Sequence, residues 1–123
     1  MLAHAAAIAP REACGLLWGA GARIDRAEPA ANVSDQPERA FEIDPATLLA
    51  AQRLARRGGA GVAGWYHSHP SGSVEPSARD AEGASREPGR VWVIVADGRA
   101  AAWQACPGGP VLGAFQPLTL RAA

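Results

Sequence analysis

His67-Ser68-His69-Pro70, followed by Ser77 and Asp80, is the segment of this chain richest in groups that can do chemistry. Neutral imidazole is the commonest metal ligand, and two histidines with one carboxylate are a known catalytic zinc set. On an extended strand residues i and i+2 project to the same side, so His67 and His69 can point together. Pro70 ends such a strand, and Ser71 to Pro76 supply enough chain to fold back over it. A helix beginning at Ser77 would present Asp80 in its first turn as the third ligand. Three protein ligands leave the fourth tetrahedral position to water, which is the open site that catalysis requires.

Each of these residues also has a purely structural reading. Ser77-x-x-Asp80 is a variant capping box, in which Ser77 caps a helix and Asp80 favours its N-terminus. An isolated His-x-His on a strand is more often incidental than metallic. The conjunction of the two at these offsets favours a metal site, and the two readings of Ser77 are compatible. Ser68, between the histidines, would point away from the metal and orient neighbouring backbone. Cys14 and Cys106 are too few for a disulfide framework and read as small buried hydrophobes, and His4 reads as an exposed surface residue. Asp97 belongs to a turn, and the four tryptophans read as core or rim.

The elements that must position these groups can be read from periodicity and punctuation. Met1 to Ala9 is an alanine-rich first helix ended by Pro10. Ala13 to Trp18 is a short apolar strand, turned at Gly19 to Gly21 into a second strand over Arg23 to Glu28. Phe41-Glu42-Ile43 alternates with period two and predicts another strand. Asp44 as N-cap, Pro45 at the first position and Gly58-Gly59 as the stop bound the clearest helix, with Leu48, Leu49, Ala51, Leu54 and Ala55 as its apolar stripe. Gly61 to His69 is a strand running into a loop, and Ser77 to about Arg86 is a short helix. Arg90 to Ala96 is apolar on both faces and therefore central. Asp97-Gly98 turns it into Arg99 to Gln104, and a last strand, about Ala114 to Leu120, is bent or edge-placed by Pro117. The order describes an α+β, or mixed α/β, fold with one sheet flanked by helices, and residues 1–123 fit one domain by length.

The spacing of His67, His69, Ser77 and Asp80, with Glu12 far upstream in Arg11-Glu12-Ala13-Cys14-Gly15-Leu16-Leu17, resembles the JAMM motif of the MPN-domain metallopeptidases. That family's pattern is an upstream Glu, then His-x-His, seven residues, Ser, two residues and Asp. Residues 70–76 form the gap here, and the similarity extends through Phe41 to Pro45 and the helix after it. The resemblance implies a JAB/MPN-like sheet of cytidine-deaminase-like architecture and a zinc ion on His67, His69 and Asp80. It also implies Glu12 as general acid/base and Ser77 as donor to the oxyanion of the reaction. Chemistry alone would also allow Glu12 as a fourth ligand, which would close the open position. The small prokaryotic branch it looks most like includes enzymes acting on ubiquitin-like and sulfur-carrier proteins, so the implied reaction is hydrolysis after a C-terminal glycine. Only residues 81–89 separate Asp80 from the strand at Arg90, too few for a large insertion, which favours a simple carrier with a C-terminal extension over polymeric chains.

Composition narrows the alternatives. Formal net charge is zero, against a nucleic-acid or membrane-surface partner. No stretch approaches a bilayer span, and no positively charged leader is evident, so the expected location is the cytoplasm, with oligomeric state left open. All twelve basic residues are arginine, so the chain offers no side-chain amine to a modifier. A non-catalytic scaffold of the same fold would usually lack one or more ligand positions. A nucleoside deaminase would need His-x-Glu and a later Pro-Cys-x-x-Cys, and neither is present.

Overall fold

The computed structural model of the chain describes residues 1–121. Its most apolar run, Val91–Ala96 (β4), is buried at every position, as a strand covered on both faces must be. β4 pairs in parallel with Val62–Ser68 (β3) and antiparallel with Arg99–Ala105 (β5). Cys14–Ala20 (β1) and Arg23–Ala30 (β2) extend the sheet on one side and Phe115–Leu118 (β6) on the other, giving the order β2-β1-β3-β4-β5-β6. Pro117 lies on the edge strand β6, where a missing donor is tolerated. Asp97 and Gly98 have positive φ, of 49° and 72°, as the tight β4–β5 turn requires. The result is the mixed, helix-flanked α+β sheet expected from the sequence.

Leu2–Ile8 (α1) lies against one face, where Leu17, Tyr66, Val91, Val93 and Val95 form a core against which Ala5 of the helix packs. Pro45–Arg56 (α2) and Ala78–Ala84 (α3) belong to the opposite face, whose core contains Cys14, Leu16, Trp18, Trp92 and Phe115. Gly15 is required at its position: a Cβ there would stand 2.2 Å from the Tyr66 ring. The parallel pair β3–β4 is joined by a crossover through α3, so the chain leaves the C-terminal end of β3 and returns after α3. That end of the strand carries His67 and His69. No helix among the described residues is long and apolar enough to cross a membrane.

Three expectations need correction. Phe41 to Ile43 does not form a strand; only an isolated bridge, Asn32 to Ile43, is made, because the Glu42 amide donates instead to the Asn32 side chain. The α2 stripe is only partly buried, with Leu49 and Leu54 44% and 46% exposed and Ala51 taking the contact. His4 is no free surface residue: it is half-buried, and its Nδ1 lies 2.8 Å from the Tyr66 hydroxyl.

Candidate metal centre

His67 and His69 project from the same side of β3, as the strand periodicity requires, with their Nε2 atoms 3.0 Å apart. Asp80 arrives from α3. Its Oδ1 lies 3.1 Å from His67 Nε2 and its Oδ2 lies 3.0 Å from His69 Nε2. The N-terminus of α3 fixes that carboxylate through a full capping box: the Ser77 hydroxyl accepts from the Asp80 amide at 3.1 Å, and Asp80 Oδ2 accepts from the Ser77 amide at 2.9 Å. The cap uses a lone pair of Ser77 and leaves its hydroxyl proton free. The capping reading of Ser77-x-x-Asp80 is therefore observed, and this geometry is compatible with the other.

The donor set fits a cation. The Ser73 carbonyl lies 2.9 Å from His69 Nδ1, and a carbonyl only accepts, so Nδ1 carries the proton and neutral His69 turns a lone pair inward at Nε2. His67 is fully buried, stacked on Phe41 at 4.3 Å and 19° with the Trp92 edge beside it, and its Nδ1 has no partner. Two imidazole nitrogens and a carboxylate thus converge on one point, where a metal ion can be held. Ligands about 2.0–2.1 Å from a tetrahedral ion lie about 3.3 Å apart, close to the spacing observed.

Burial opposes charge on Asp80, but the neighbouring His67 and His69 imidazoles outweigh it and hold the carboxyl well below its ordinary range in the metal-free chain. Burial lowers the pKa of His67. For His69 burial acts in the same direction but is overcome by Asp80, and its pKa rises.

Glu12, at the entry to β1, is 5% exposed and lines a cleft of about 480 Å³ together with His69, Ser77, Asp80, Phe41 and Arg79. Burial chiefly, with the Asp80 charge, raises its carboxyl to about 7, against the pull of His69 and Arg79. Its position is fixed through the backbone: the Glu12 amide donates to the Pro37 carbonyl at 2.6 Å, and the next amide, Ala13, donates to Ser68 Oγ at 2.7 Å. Ser68 therefore orients backbone, as its place between the histidines implied. Cys14 stands opposite His67 in the β1–β3 register, but burial pushes its thiol up to about 12, which keeps it unreactive. Cys106 and Asp97 stand outside the cleft lining. Phe41 and Arg79 line the cleft, yet neither had a local signature in the sequence that marked it for a site.

A mixed sheet carrying His-x-His at the end of one parallel strand, with a carboxylate from the crossover helix, defines a metal-site domain of the JAB/MPN type. The family described as prokaryotic homologs of the JAB domain matches residues 1–106, and the chain belongs to that family. It is similar to a desampylase of Haloferax volcanii, 41% identical over 93 residues that cover 73% of this chain and 66% of that one. It is also similar to a probable TtuB-protein conjugate cleaving protease of Thermus thermophilus, 40% identical over 63% of this chain and 52% of the relative. The chain thus spans between half and two thirds of the length of these relatives. A solution structure of a Desulfitobacterium hafniense protein has the same fold, with a TM-score of 0.74 at 28% identity, over 96% of this chain and 82% of the other.

Proposed function

We propose that residues 1–123 act as one zinc-dependent metallopeptidase domain, in the cytoplasm. It hydrolyses the bond after the C-terminal glycine of a ubiquitin-like or sulfur-carrier protein. The observation that carries this reading is the convergence of His67, His69 and Asp80 beside the buried Glu12 carboxyl at the floor of an open cleft. The likeness to a desampylase and to a probable TtuB-protein conjugate cleaving protease supports a hydrolase acting on protein conjugates.

His67, His69 and Asp80 would hold the ion. When bound, zinc supplies Lewis-acid polarisation of the scissile carbonyl and a lowered water pKa. Glu12 takes the proton of the attacking water and returns it to the leaving amine; a carboxyl raised to about 7 is suited to both halves of that task. Ser77 donates its free hydroxyl proton to the oxygen on which negative charge develops. Arg79, beside Glu12, favours the ionised carboxylate before attack. Phe41 and residues of α3 line the cleft beside these groups.

The test is cleavage of ubiquitin-like and sulfur-carrier proteins extended past a Gly-Gly tail, with and without chelator, read by intact mass. Loss of the extension only in the metal-loaded sample is the expected result. Carriers left intact by a protein that holds stoichiometric zinc would overturn the substrate and leave the metal site standing.

A further inference from the structure

Between β2 and α2, residues 31–44 run without a helix or a strand, and yet residues of this segment line the cleft. Its order comes largely from one side chain. Asn32 Nδ2 donates to the carbonyls of Glu12 and Ala40, each at 3.0 Å. Asn32 Oδ1 accepts from the amides of Ser34 and Glu42, at 3.0 and 3.1 Å. An asparagine amide has two donor hydrogens and two acceptor lone pairs, so every hydrogen-bonding position of this half-buried group is used.

These four bonds reach two functional elements. The first joins Asn32 to the residue proposed as general acid/base. The bonds to Ala40 and Glu42 bracket Phe41, whose ring stacks on His67. Glu12 is held again by its own amide, which donates to Pro37 in the same segment.

We infer that Asn32 is a positioning residue for the reaction, fixing the Glu12 backbone to the 32–42 wall and, through Phe41, the ring of His67. The inference rests on the role proposed for Glu12. No other side chain at this position would serve equally. Aspartate lacks both donors and sets a carboxylate against two carbonyls, leucine makes none of the four bonds, and glutamine displaces the amide by a methylene.

The test uses the full chain loaded with zinc. In Asn32→Ala the Glu12 amide should exchange with solvent at least about tenfold faster, while the amides of Val93 and Ile94 in β4 keep their protection. Zinc content should be unchanged, and on an extended carrier kcat should fall about tenfold or more with KM within about twofold. Added to Glu12→Gln, the substitution should cause little further loss, because both act on one group. Unchanged Glu12 exchange in a folded Asn32→Ala protein, or losses that multiply in the double variant, would overturn the inference. Should Asn32→Ala not fold, the unmodified protein still decides. Its two Asn32 side-chain amide protons should be distinct and slow to exchange, and rapid exchange like that of a solvent-exposed asparagine would overturn the inference. If Glu12→Gln turns over normally, the role of Glu12 fails, while the exchange data still report on the Asn32 tether.

Discussion

Adjacent residues of β3 send a tyrosine to one face of the sheet and a histidine to the other, and their surroundings differ in kind. Tyr66 is fully buried, yet its hydroxyl meets His4 Nδ1 at 2.8 Å, so the one polar group in that core is paired. His67 is as deeply buried, but its Nε2 faces another imidazole nitrogen and a carboxylate while its Nδ1 has no partner. A buried polar group left without its bonds costs about 1–3 kcal/mol. The orphan is Nδ1, so a cation held on Nε2 would not pair it, and its cost is one the fold carries to keep Nε2 turned toward His69 and Asp80. The α1 face thus pairs its one polar side chain within the core, whereas the α3 face gathers two imidazole nitrogens and a carboxylate on a point where a cation can be held.

The largest test of that contrast is His67→Ala. It should abolish metal binding, measured by metal analysis after dialysis, and reduce turnover to background. The metal-free fold should also lose stability, because the fully buried ring stacks on Phe41 and partners the buried Asp80 carboxylate. If His67→Ala still binds zinc stoichiometrically, the two faces do not differ as described.

Glu12→Gln should come next, lowering kcat by about 10²–10⁴-fold with zinc content unchanged. It also isolates a pH effect in the metal-free protein. Between the ordinary glutamate value of 4.5 and about 7, the folded chain keeps a proton that the unfolded chain has lost. The contribution of this group to stability is therefore present at low pH and declines as pH rises through that window. Thermal unfolding with chelator from pH 5 to pH 8 should show a smaller decline for Glu12→Gln than for the unmodified chain. Equal slopes would argue against a buried Glu12.

Ser77→Ala should lower kcat by about 10²–10³-fold if the hydroxyl donates to the developing oxyanion, and should cost about 1 kcal/mol for the lost cap. A stability loss with normal turnover would leave Ser77 with its capping role only. The smallest effect is expected on the other face. Tyr66→Phe should destabilise by about 1 kcal/mol, read by denaturant unfolding, with metal content and turnover unchanged. A fall in zinc affinity there would mean that the two faces are coupled through β3.

Features decided by neighbours in sequence were legible without a structure. Strand periodicity puts His67 and His69 on one side whatever surrounds them. Ser77 and Asp80 are three residues apart, so a helix start dictates their mutual bonds. The apolar run of β4 and the Asp97-Gly98 turn carry their own local chemistry. The 3.6-residue pattern of α2 was equally local, but it indicated how a helix can pack and not how much sheet lies beneath it, which is why Leu49 and Leu54 remain exposed. His4 looked like a surface residue because nothing nearby in sequence announces Tyr66, its partner 62 positions away.

By itself, then, the sequence determined the donor types, their facing on strand and helix, and the order of elements that could bring them together. The tertiary structure decided the depth of the site and the position of Glu12, the proposed acid/base. Glu12 is placed by the antiparallel pairing of β1 with β3 and by bonds to Pro37 and Asn32, and its raised carboxyl by the burial these contacts impose. The stacking of Phe41 on His67 was likewise decided there, by a segment with no periodicity to read. The physical reason is common to all three. Burial and long-range hydrogen bonds depend on which segments the folded sheet brings together, and no local pattern of residue types encodes that.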